Sequence, residues 1–288
     1  MIKSPRDGLV VEKCGRLLRS GRRPSEAVTE SGAEREAAVS RYFETYVEDR
    51  DEHGTTKLSF AARNFRQSAL MFARLLRLPR LTITPSDSLE GNALRDALVR
   101  HHPVSRLIRH AAVVLLPRNA DEYCSGSSKQ TLRRKIRQAQ KLGVGWKPVD
   151  DPQERRRVLA LADDWERVQP DAQYQNPEPA NDDLFEYDLW LLAHSADGRP
   201  LVLSVTPVDG GWAALRYFRT IGSGVEQSVA RYYLMRVLVD RLCRLGVGHV
   251  VDATSPSSLT NGLRHYQRMV GFRIFRIRLQ RSTGKRAQ

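Results

Sequence analysis

The sequence contains little cysteine and no long apolar run, and each absence excludes a class of protein. Cys14, Cys124 and Cys243 are scattered, without Cys-x-x-Cys or Cys/His spacing, so neither a disulfide framework nor a zinc site is expected. No apolar run approaches the ~20 residues needed to span a bilayer. The amino-terminal residues lack the apolar centre of a signal peptide. We therefore expect a cytoplasmic protein without a membrane span.

Metal-ligand spacing is missing as well. His194, His249 and His265 show no pairing that would place two ligands on one ion. His101 and His102 adjoin in a loop-like stretch, where neighbouring imidazoles rarely share a metal. No internal repeat or low-complexity tract occurs either. The sequence therefore predicts no metal site.

Positive charge, in contrast, is abundant. The 288 residues carry a formal net charge of +14, with 41% apolar and 28% charged residues, a composition typical of a soluble globular protein. Such a charge predicts attraction to polyanions, such as nucleic acid, anionic lipid or phosphorylated cofactors. Arginine used simply as the surface cation explains it equally well, because the charge is spread along the chain.

The hydrophobic pattern divides the chain into three parts. Residues 1–32 are rich in Arg, Gly and Ser with weak periodicity, which indicates a partly ordered amino-terminal arm. Residues 33–120 alternate helical and strand patterns and form an α/β half. Residues 121–288 form the domain in which we expect the chemistry. The elements predicted for the α/β half are helices over 33–51, 59–76 and about 88–101 and strands over 81–84 and 111–116.

The helix predicted over 59–76 has apolar side chains at three- and four-residue steps, which indicates one buried face. That face is therefore assigned to the interior of the protein. The residues expected to be buried on it are Phe60, Phe65, Ala69, Phe72, Ala73 and Leu76.

The carboxyl-terminal domain contains a long loop and a β-α-β-α-β order. The loop, residues 169–183, holds Pro170, Pro177 and Pro179, and loops of this length tend to be functional or mobile. From residue 212 onward the order implies a sheet with crossover helices, in which ligands favour strand ends near a helix amino terminus. The predicted elements are helices over 129–142, 152–168 and 227–245 and strands over 145–149, 185–193, 200–207, 212–219 and 249–253.

A glycine-rich turn follows the strand predicted over 212–219. In Arg219-x-x-Gly222-x-Gly224 the glycines let backbone amides turn outward, and the start of the next helix adds partial positive charge. Together these favour a pyrophosphate or another anion. A Gly-Ser-Gly connection between strand and helix is also common as a simple turn that binds no ligand, so both interpretations stay open.

Tyr266 and Asp252 are the candidate catalytic residues. The unperturbed pKa of a tyrosine hydroxyl, about 10, suits a general acid that protonates a departing thiolate. The alternative for Tyr266 is an ordinary aromatic residue at the core edge. Asp252 ends a buried strand and can act as a base or orient a substrate amine. It can equally cap the following loop, residues 254–258, through its side chain.

Two further sets of charged residues are candidates for binding. Glu186 and Asp188, on a predicted strand, can bind a substrate ammonium or form the solvent face of an edge strand. The basic helix over 129–142 can hold RNA or cofactor phosphates, or it can face solvent. No aromatic interleaving or recognisable nucleic-acid module accompanies it. Its cations are Arg133, Arg134, Lys135, Arg137 and Lys141.

Two motifs resemble one branch of a known superfamily. The segment from Leu116 to Gly143 contains an LP…Y…S-S-K…LRR…G pattern, similar to the one that precedes the catalytic domain in GNAT-superfamily acyltransferases of the Fem/CelD-like branch. The segment from Gly262 to Phe272 is similar to that branch's Y-K-x-x-L-G-F element, with Gln267 where the branch often has Lys.

The resemblance implies a fold and an activity. The fold is a mixed, splayed GNAT-like sheet flanked by helices, with the amino-terminal half as a degenerate counterpart. The activity is transfer of an acyl group from acyl-CoA to an amine by direct attack on the thioester, with Tyr266 as the acid. The resemblance places the cofactor on Leu215, Tyr217, Arg219, Gly222 and Gly224. The candidate substrate-binding residues are Glu186, Asp188 and Arg216.

Two other functions remain open beside that of an acyl-CoA N-acyltransferase. Some relatives of this branch use aminoacyl-tRNA as the donor, and the net charge of +14 and the basic helix favour such a transferase. A non-catalytic binding module that kept the fold is the other alternative. The expected acceptor is a small-molecule or peptidyl amine.

Overall fold

The computed structural model describes residues 24–99 and 109–280, in which helices and strands alternate along the sequence. The α-helices are α1 Pro24–His53, α2 Lys57–Arg63, α3 Phe65–Leu76, α4 Leu89–Val99, α5 Ala120–Tyr123, α6 Gln130–Lys141, α7 Pro152–Arg167, α8 Val225–Arg244 and α9 Asn261–Val270. The strands are β1 Arg80–Ile83, β2 His110–Leu115, β3 Gly145–Pro148, β4 Trp190–His194, β5 Pro200–Val205, β6 Val208–Asp209, β7 Trp212–Leu215, β8 Tyr217–Thr220, β9 His249–Asp252 and β10 Arg273–Leu279.

Two sheets form the centre of the fold. The larger sheet is mixed, with the strand order β1-β10-β2-β9-β7-β6, and the smaller is antiparallel, with the order β3-β4-β5-β8. Helices flank the sheets, so the predicted mixed α/β fold class is confirmed. Strands from both sides of residue 120 share the larger sheet, since β10 lies between β1 and β2. The division of the chain at residue 120 stays a prediction.

Helix α8 packs against both sheets. Gln227, Arg231, Leu234, Leu238 and Leu242 recur at steps of four, three, four and four residues, so they share one face. The three leucines are buried in a core cluster that also contains residues of both sheets. Because burying a leucine contributes roughly 1.5–3 kcal/mol, this face holds the two sheets in a fixed relation.

The single helix predicted over 59–76 is two helices, and its buried face is wrong. Asn64 interrupts the helix, because its backbone is not helical and its side-chain Nδ2 donates to the Phe60 carbonyl oxygen at 3.1 Å. After the interruption, α3 buries Leu75 against α1, and Phe60 is the predicted core residue that is buried. The residues expected inside that are exposed are Phe65, Ala69, Phe72 and Leu76.

The strand predicted over 212–219 is divided between the two sheets. The Arg216 amide donates to the Ala214 carbonyl oxygen at 2.9 Å, which takes this residue out of the ladder. The chain therefore pairs as β7 with β9 in the larger sheet and as β8 with β5 in the smaller one. The sheet is splayed at this point, as the resemblance implied.

Three other predicted boundaries move. Helix α1 already begins at Pro24, and the rest of the predicted arm, with Cys14, lies outside the described residues, as do His101 and His102. The strand predicted over 185–193 begins only at Trp190, because residues 182–186 form a 3-10 helix whose Leu184 side chain is buried. Helix α8 begins directly after Gly224 rather than at residue 227. No helix within residues 24–99 and 109–280 has the length and apolarity to cross a bilayer.

Candidate functional site

The site lies where β7 and β9 separate. These strands run parallel from the pair Trp212 and His249 to the pair Leu215 and Asp252. Beyond Leu215 the chain leaves the larger sheet as β8, while β9 ends at Asp252. The two chain segments therefore enclose a wedge-shaped space.

Two adjoining cavities occupy this space. The smaller reaches into the split itself, and the larger, of about 590 Å³, opens beside it towards the loop after α7. We call the larger one the central cavity. Both cavities are lined by Phe218, Arg219, Thr254, Leu263 and Tyr266.

Tyr266 lies at the junction of the two cavities. Helix α9 presents its buried ring, which stacks on Phe218 with ring centres 6.1 Å apart and meets the Tyr232 ring edge-on at 5.1 Å. The hydroxyl donates a long hydrogen bond, 3.4 Å, to the Arg231 carbonyl oxygen. Burial raises the pKa of Tyr266, and the Arg231 charge opposes the rise. The phenol therefore stays protonated at neutral pH and can donate a proton into the cavity.

Arg231 is a functional candidate that the sequence reasoning missed. Its guanidinium lies over the Tyr266 ring at 4.6 Å and over the Tyr232 ring at 5.3 Å, on the wall of the central cavity. Within the described residues, no carboxylate pairs with this guanidinium, and its buried Nε has no hydrogen-bond partner. The available signal was an arginine at a core position of the α8 stripe, since a charge there needs a partner or a ligand.

Asp252 is held by two hydrogen bonds. Its Oδ1 accepts from the Thr254 amide at 2.7 Å, and its Oδ2 accepts from Gln267 Nε2 at 2.7 Å. The first bond is the loop cap that the sequence offered as one alternative. Burial raises the pKa of Asp252, while these hydrogen bonds and the Arg219 charge lower it in part. Gln267 stands where lysine was the expected residue, and its side chain donates one of the hydrogen bonds that Asp252 accepts.

Glu166 is a second residue that the sequence reasoning missed. This buried carboxylate of α7 accepts a hydrogen bond from the Tyr217 hydroxyl at 2.8 Å, and it lies 3.6 Å from Arg219 Nε. Tyr217 therefore turns to Glu166 instead of lining the central cavity, whereas Glu166 lines it. A glutamate four residues after the buried Ala162, on the apolar side of its helix, was the signal.

The glycine turn is partly filled by a side chain. Gly222 and Gly224 both have positive φ, and a Cβ on Gly222 would lie 2.9 Å from Gln227 Nε2. The Gln227 amide is buried and donates to the Ile221 carbonyl oxygen at 3.4 Å. The turn thus packs against its own helix, and its three residues line the central cavity together with Gln227.

The other predicted binding residues are not brought together. Leu215 and Arg216 line the cavity in the split, and Arg216 forms a two-point ion pair with Asp183 at 2.8 and 2.9 Å. Glu186 and Asp188 are exposed and line neither cavity. Their role in substrate binding stays a prediction.

The loop predicted to shape the acceptor pocket does line the central cavity. Gln169, Gln173, Gln175 and Asn176 line it. The last three side-chain amides donate within the protein, to Asp171, to the Arg167 carbonyl oxygen and to Glu166. Tyr174 joins this loop to the start of α9, because its hydroxyl lies 2.7 Å from Thr260 Oγ1. The loop and the helix that carries Tyr266 are therefore linked.

The basic helix predicted over 129–142 is α6 and has an exposed cationic face. Arg134, Arg137 and Lys141 are exposed. Arg133 differs from the prediction, because its Nη1 donates to the carbonyl oxygens of Cys124 and Gly126, each at 2.7 Å, and so it fixes the preceding loop. In the part of the chain that the structure describes, no group of three or more His, Cys, Asp or Glu side chains can hold a metal.

No protein-family model matches the chain, and no curated protein is similar to it. Solved structures do match in part. The structure of L-PGS from Bacillus licheniformis is 14% identical, with a TM-score of 0.45 over 59% of this chain and 60% of that chain. The carboxyl-terminal DUF2156 domain of a protein assigned as lysylphosphatidylglycerol synthetase from Agrobacterium fabrum is 13% identical, with a TM-score of 0.38 over 50% of this chain and 46% of that chain.

This likeness is too distant to carry an argument about function, and the chain spans less than two thirds of either protein. It does correct the sequence analysis. The predicted place in the Fem/CelD-like GNAT branch is wrong, since these matching structures are lysylphosphatidylglycerol synthetase domains. The acyl-CoA donor that the resemblance implied is wrong with it. The buried Gln227 amide gives a physical reason, because it packs closely against Gly222 in the turn expected to cradle the CoA phosphates.

Proposed function

We propose that this protein is an aminoacyltransferase that takes its aminoacyl group from aminoacyl-tRNA. The observation that carries the proposal is the Arg231 guanidinium, without a carboxylate partner in the described chain, beside the buried Tyr266 phenol on the wall of an open cavity. A cation and a proton donor at one point suit the transfer of an ester-linked group. The cation stabilises the negative charge on the carbonyl oxygen, and the proton donor protonates the leaving oxygen.

The size and lining of the central cavity support this substrate class. Its volume of about 590 Å³ falls within the ~300–1,000 Å³ common for small-molecule sites, which suffices for the aminoacylated end of a nucleic acid. The side-chain amide of Gln169, which lines the cavity, can bind the polar edge of a base or an amino acid. The Glu166 carboxylate can bind the ammonium group that every aminoacyl ester carries.

The reaction balances without a cofactor. The acceptor's amine or hydroxyl attacks the ester carbonyl carbon, which forms the new bond and breaks the bond to the ribose oxygen. The ribose oxygen takes the Tyr266 proton, and the tyrosine recovers a proton from the acceptor atom. Burial raises the pKa of the Tyr266 phenol, and the Arg231 charge, which opposes that rise, favours transfer of the proton to the ribose oxygen. Arg231 stabilises the charge that develops on the carbonyl oxygen and on the phenolate.

Charge supports an RNA donor. The net charge of +14 and the exposed cations Arg134, Arg137 and Lys141 of α6 favour phosphate contacts along an RNA backbone. Arg219 has its side chain half exposed beside the central cavity, where it can contact the phosphate nearest the aminoacyl end.

A transfer assay tests the proposal. Bulk tRNA charged with labelled amino acids serves as the donor, and the acceptors offered are small amines, peptides and dispersed phosphatidylglycerol, the last because the matched structures are named for a lysyl derivative of it. We expect label to move to one class of acceptor. Tyr266→Phe is expected to slow transfer by about 100-fold, because it removes the proton donor, with the fold retained.

Leu245→Ser serves as the control, since this exposed residue lies outside the cavities. Transfer by Tyr266→Phe at the wild-type rate would contradict the assignment of the acid. If no acceptor takes label and the charged tRNA still binds, the chain is a binding module and the proposal of catalysis fails.

A further inference from the structure

Helix α3 leaves an apolar stripe in contact with solvent. Phe65, Ala69, Phe72 and Leu76 follow one another at steps of four, three and four residues, so they lie on one face of the helix. Phe65 is 73% exposed, Phe72 47% and Leu76 39%, and in the preceding α2 Leu58 is 84% exposed. Monomeric proteins rarely leave large apolar side chains exposed together without a function for them.

The stripe is not part of the interior packing of α3. The helix rests on α1 through a neighbouring face, where Leu75 is buried and the Tyr42 hydroxyl lies 2.7 Å from Ser68 Oγ. The apolar sector of α3 is therefore wider than the contact with α1 can cover. Folding alone does not require Phe65 and Phe72, because neither contributes a buried side chain.

The charges that α2 and α3 themselves carry have one sign. From Gly54 to Ser86 the sequence contains no aspartate or glutamate. Arg66 and the capping residue Arg77 lie beside the stripe, about a quarter of a turn around the helix from it, and Arg74 lies on the opposite side; all three are exposed. Within the described residues, no carboxylate lies within 4.0 Å of their guanidinium groups. The cations of this segment are Lys57, Arg63, Arg66, Arg74, Arg77 and Arg80.

The basic surface continues beyond α3. Arg276 of β10 donates from Nη1 to the Leu76 carbonyl oxygen at the end of α3. Arg80 begins the edge strand β1, which pairs with β10 through the residues Arg80 and Arg276. The apolar stripe is thus bordered by cations along its length and at its carboxyl-terminal end.

We propose that α2 and α3 dock the protein onto an anionic lipid surface, with the stripe of Phe65, Phe72 and Leu76 inserted below the headgroups. An amphipathic helix with aromatic residues on one face and arginines beside them binds in the plane of a membrane interface. Each cation near an anionic surface strengthens binding, and long arginine side chains reach the headgroups while the apolar face is buried. The inference stands independently of the proposed transferase activity.

The apolar stripe and the arginines together favour a lipid surface over other polyanions. RNA would bind the arginines and leave the apolar stripe in water, whereas a second copy of the chain would bring like charges together. A lipid surface satisfies both the apolar and the charged side chains at once. The occupant is therefore a bilayer that contains anionic phospholipid.

Vesicle co-sedimentation of the full chain tests this inference. The vesicles contain either phosphatidylcholine alone or phosphatidylcholine with phosphatidylserine. We expect binding to the anionic vesicles only, weakened about ten-fold by Phe65→Ser/Phe72→Ser through loss of apolar insertion and about ten-fold by Arg66→Glu/Arg77→Glu through repulsion. Because these side chains are exposed, both variants are expected to keep the wild-type melting temperature.

Matched controls separate this surface from general effects. Leu115→Ser/Leu245→Ser removes exposed apolar residues elsewhere, and Arg134→Glu/Arg137→Glu makes the same change in net charge on α6. Both are expected to bind vesicles within about two-fold of wild type. The inference is overturned by equal binding to neutral vesicles, or by unchanged binding of the Phe65/Phe72 variant. It is also overturned if sedimentation velocity shows a dimer that this variant abolishes while vesicle binding is absent.

Discussion

At the scale of single residues, the site depends on buried polar groups that are only partly satisfied. The Tyr266 hydroxyl makes one long hydrogen bond to the backbone, and Arg231 Nε makes none within the described chain. Buried polar groups usually find partners during folding. Groups left incomplete beside a cavity indicate that a ligand completes them, which is why we assign the chemistry to this pair.

The burial of Asp252 in the same site makes the stability of the protein depend on pH. Burial raises its pKa above the ordinary 3.8. The folded state therefore holds this proton at a pH where the unfolded chain has lost it, so the contribution of Asp252 to stability falls as pH rises through the folded pKa. We expect Asp252→Asn, which does not titrate, to gain stability relative to wild type between pH 4 and pH 7.

Urea denaturation at the two pH values measures this difference, which amounts to about 1.4 kcal/mol for each unit of pKa elevation. The exposed Asp150→Asn is the control for charge removal. A difference that stays constant, or that moves in favour of wild type, would show that the hydrogen bonds from Thr254 and Gln267 outweigh burial.

The sequence could identify some of these residues and not others. Tyr266, Asp252 and Arg219 were found because each adjoins a strand end or a recognisable turn, and the fold brings all three to one cleft. Arg231 lies inside α8 and Glu166 in the last turn of α7, where a charged residue is ordinarily a solvated one. Their burial depends on which side of α7 and α8 meets the core, and that is decided by tertiary packing.

At the scale of elements, the two ends of α8 differ in how tightly their glycines are packed. Gly222 precedes the helix with φ +93°, and Gly246 follows it with φ +75°. A Cβ on Gly222 would lie 2.9 Å from Gln227 Nε2, whereas one on Gly246 would meet nothing within 4 Å. The turn before α8 is therefore built around Gln227, and the turn after it is open.

This difference predicts unequal effects of the same substitution. Gly246→Ala is expected to cost about 1 kcal/mol, the penalty for a side chain in the left-handed region. Gly222→Ala is expected to cost about 1 kcal/mol more, since the buried Gln227 amide must move. Chemical denaturation measures both values. The extra loss is expected to vanish in a Gln227→Ala background, and its persistence there would refute the role of Gln227.

Element patterns were predicted well where periodicity was strong, and poorly where backbone hydrogen bonds decided the outcome. Helices α6 and α7 and the strand β9 were expected close to where they lie. The division of residues 212–219 between two sheets depends on the Arg216 amide bonding to Ala214, which leaves no mark in the apolar pattern. The outer face of α3 was assigned to the core because an interfacial stripe and a core stripe have the same period.

At the scale of the whole molecule, the net charge and the central cavity have different roles in RNA binding. The net charge of +14 predicts an affinity for RNA that falls steeply with added salt, because each phosphate contact releases counterions. Charge alone would not distinguish charged from deacylated tRNA. That distinction belongs to the cavity where β7 and β9 separate.

The most direct test of this account compares the binding of bulk aminoacyl-tRNA with that of the same tRNA after deacylation, for wild type and for Arg231→Met. The account predicts that wild type binds the aminoacylated form more tightly, and that Arg231→Met weakens this form by about ten-fold or more, the effect of losing one hydrogen bond to a charged group, while deacylated tRNA binds almost unchanged. Equal affinities of both proteins for both RNAs would contradict it.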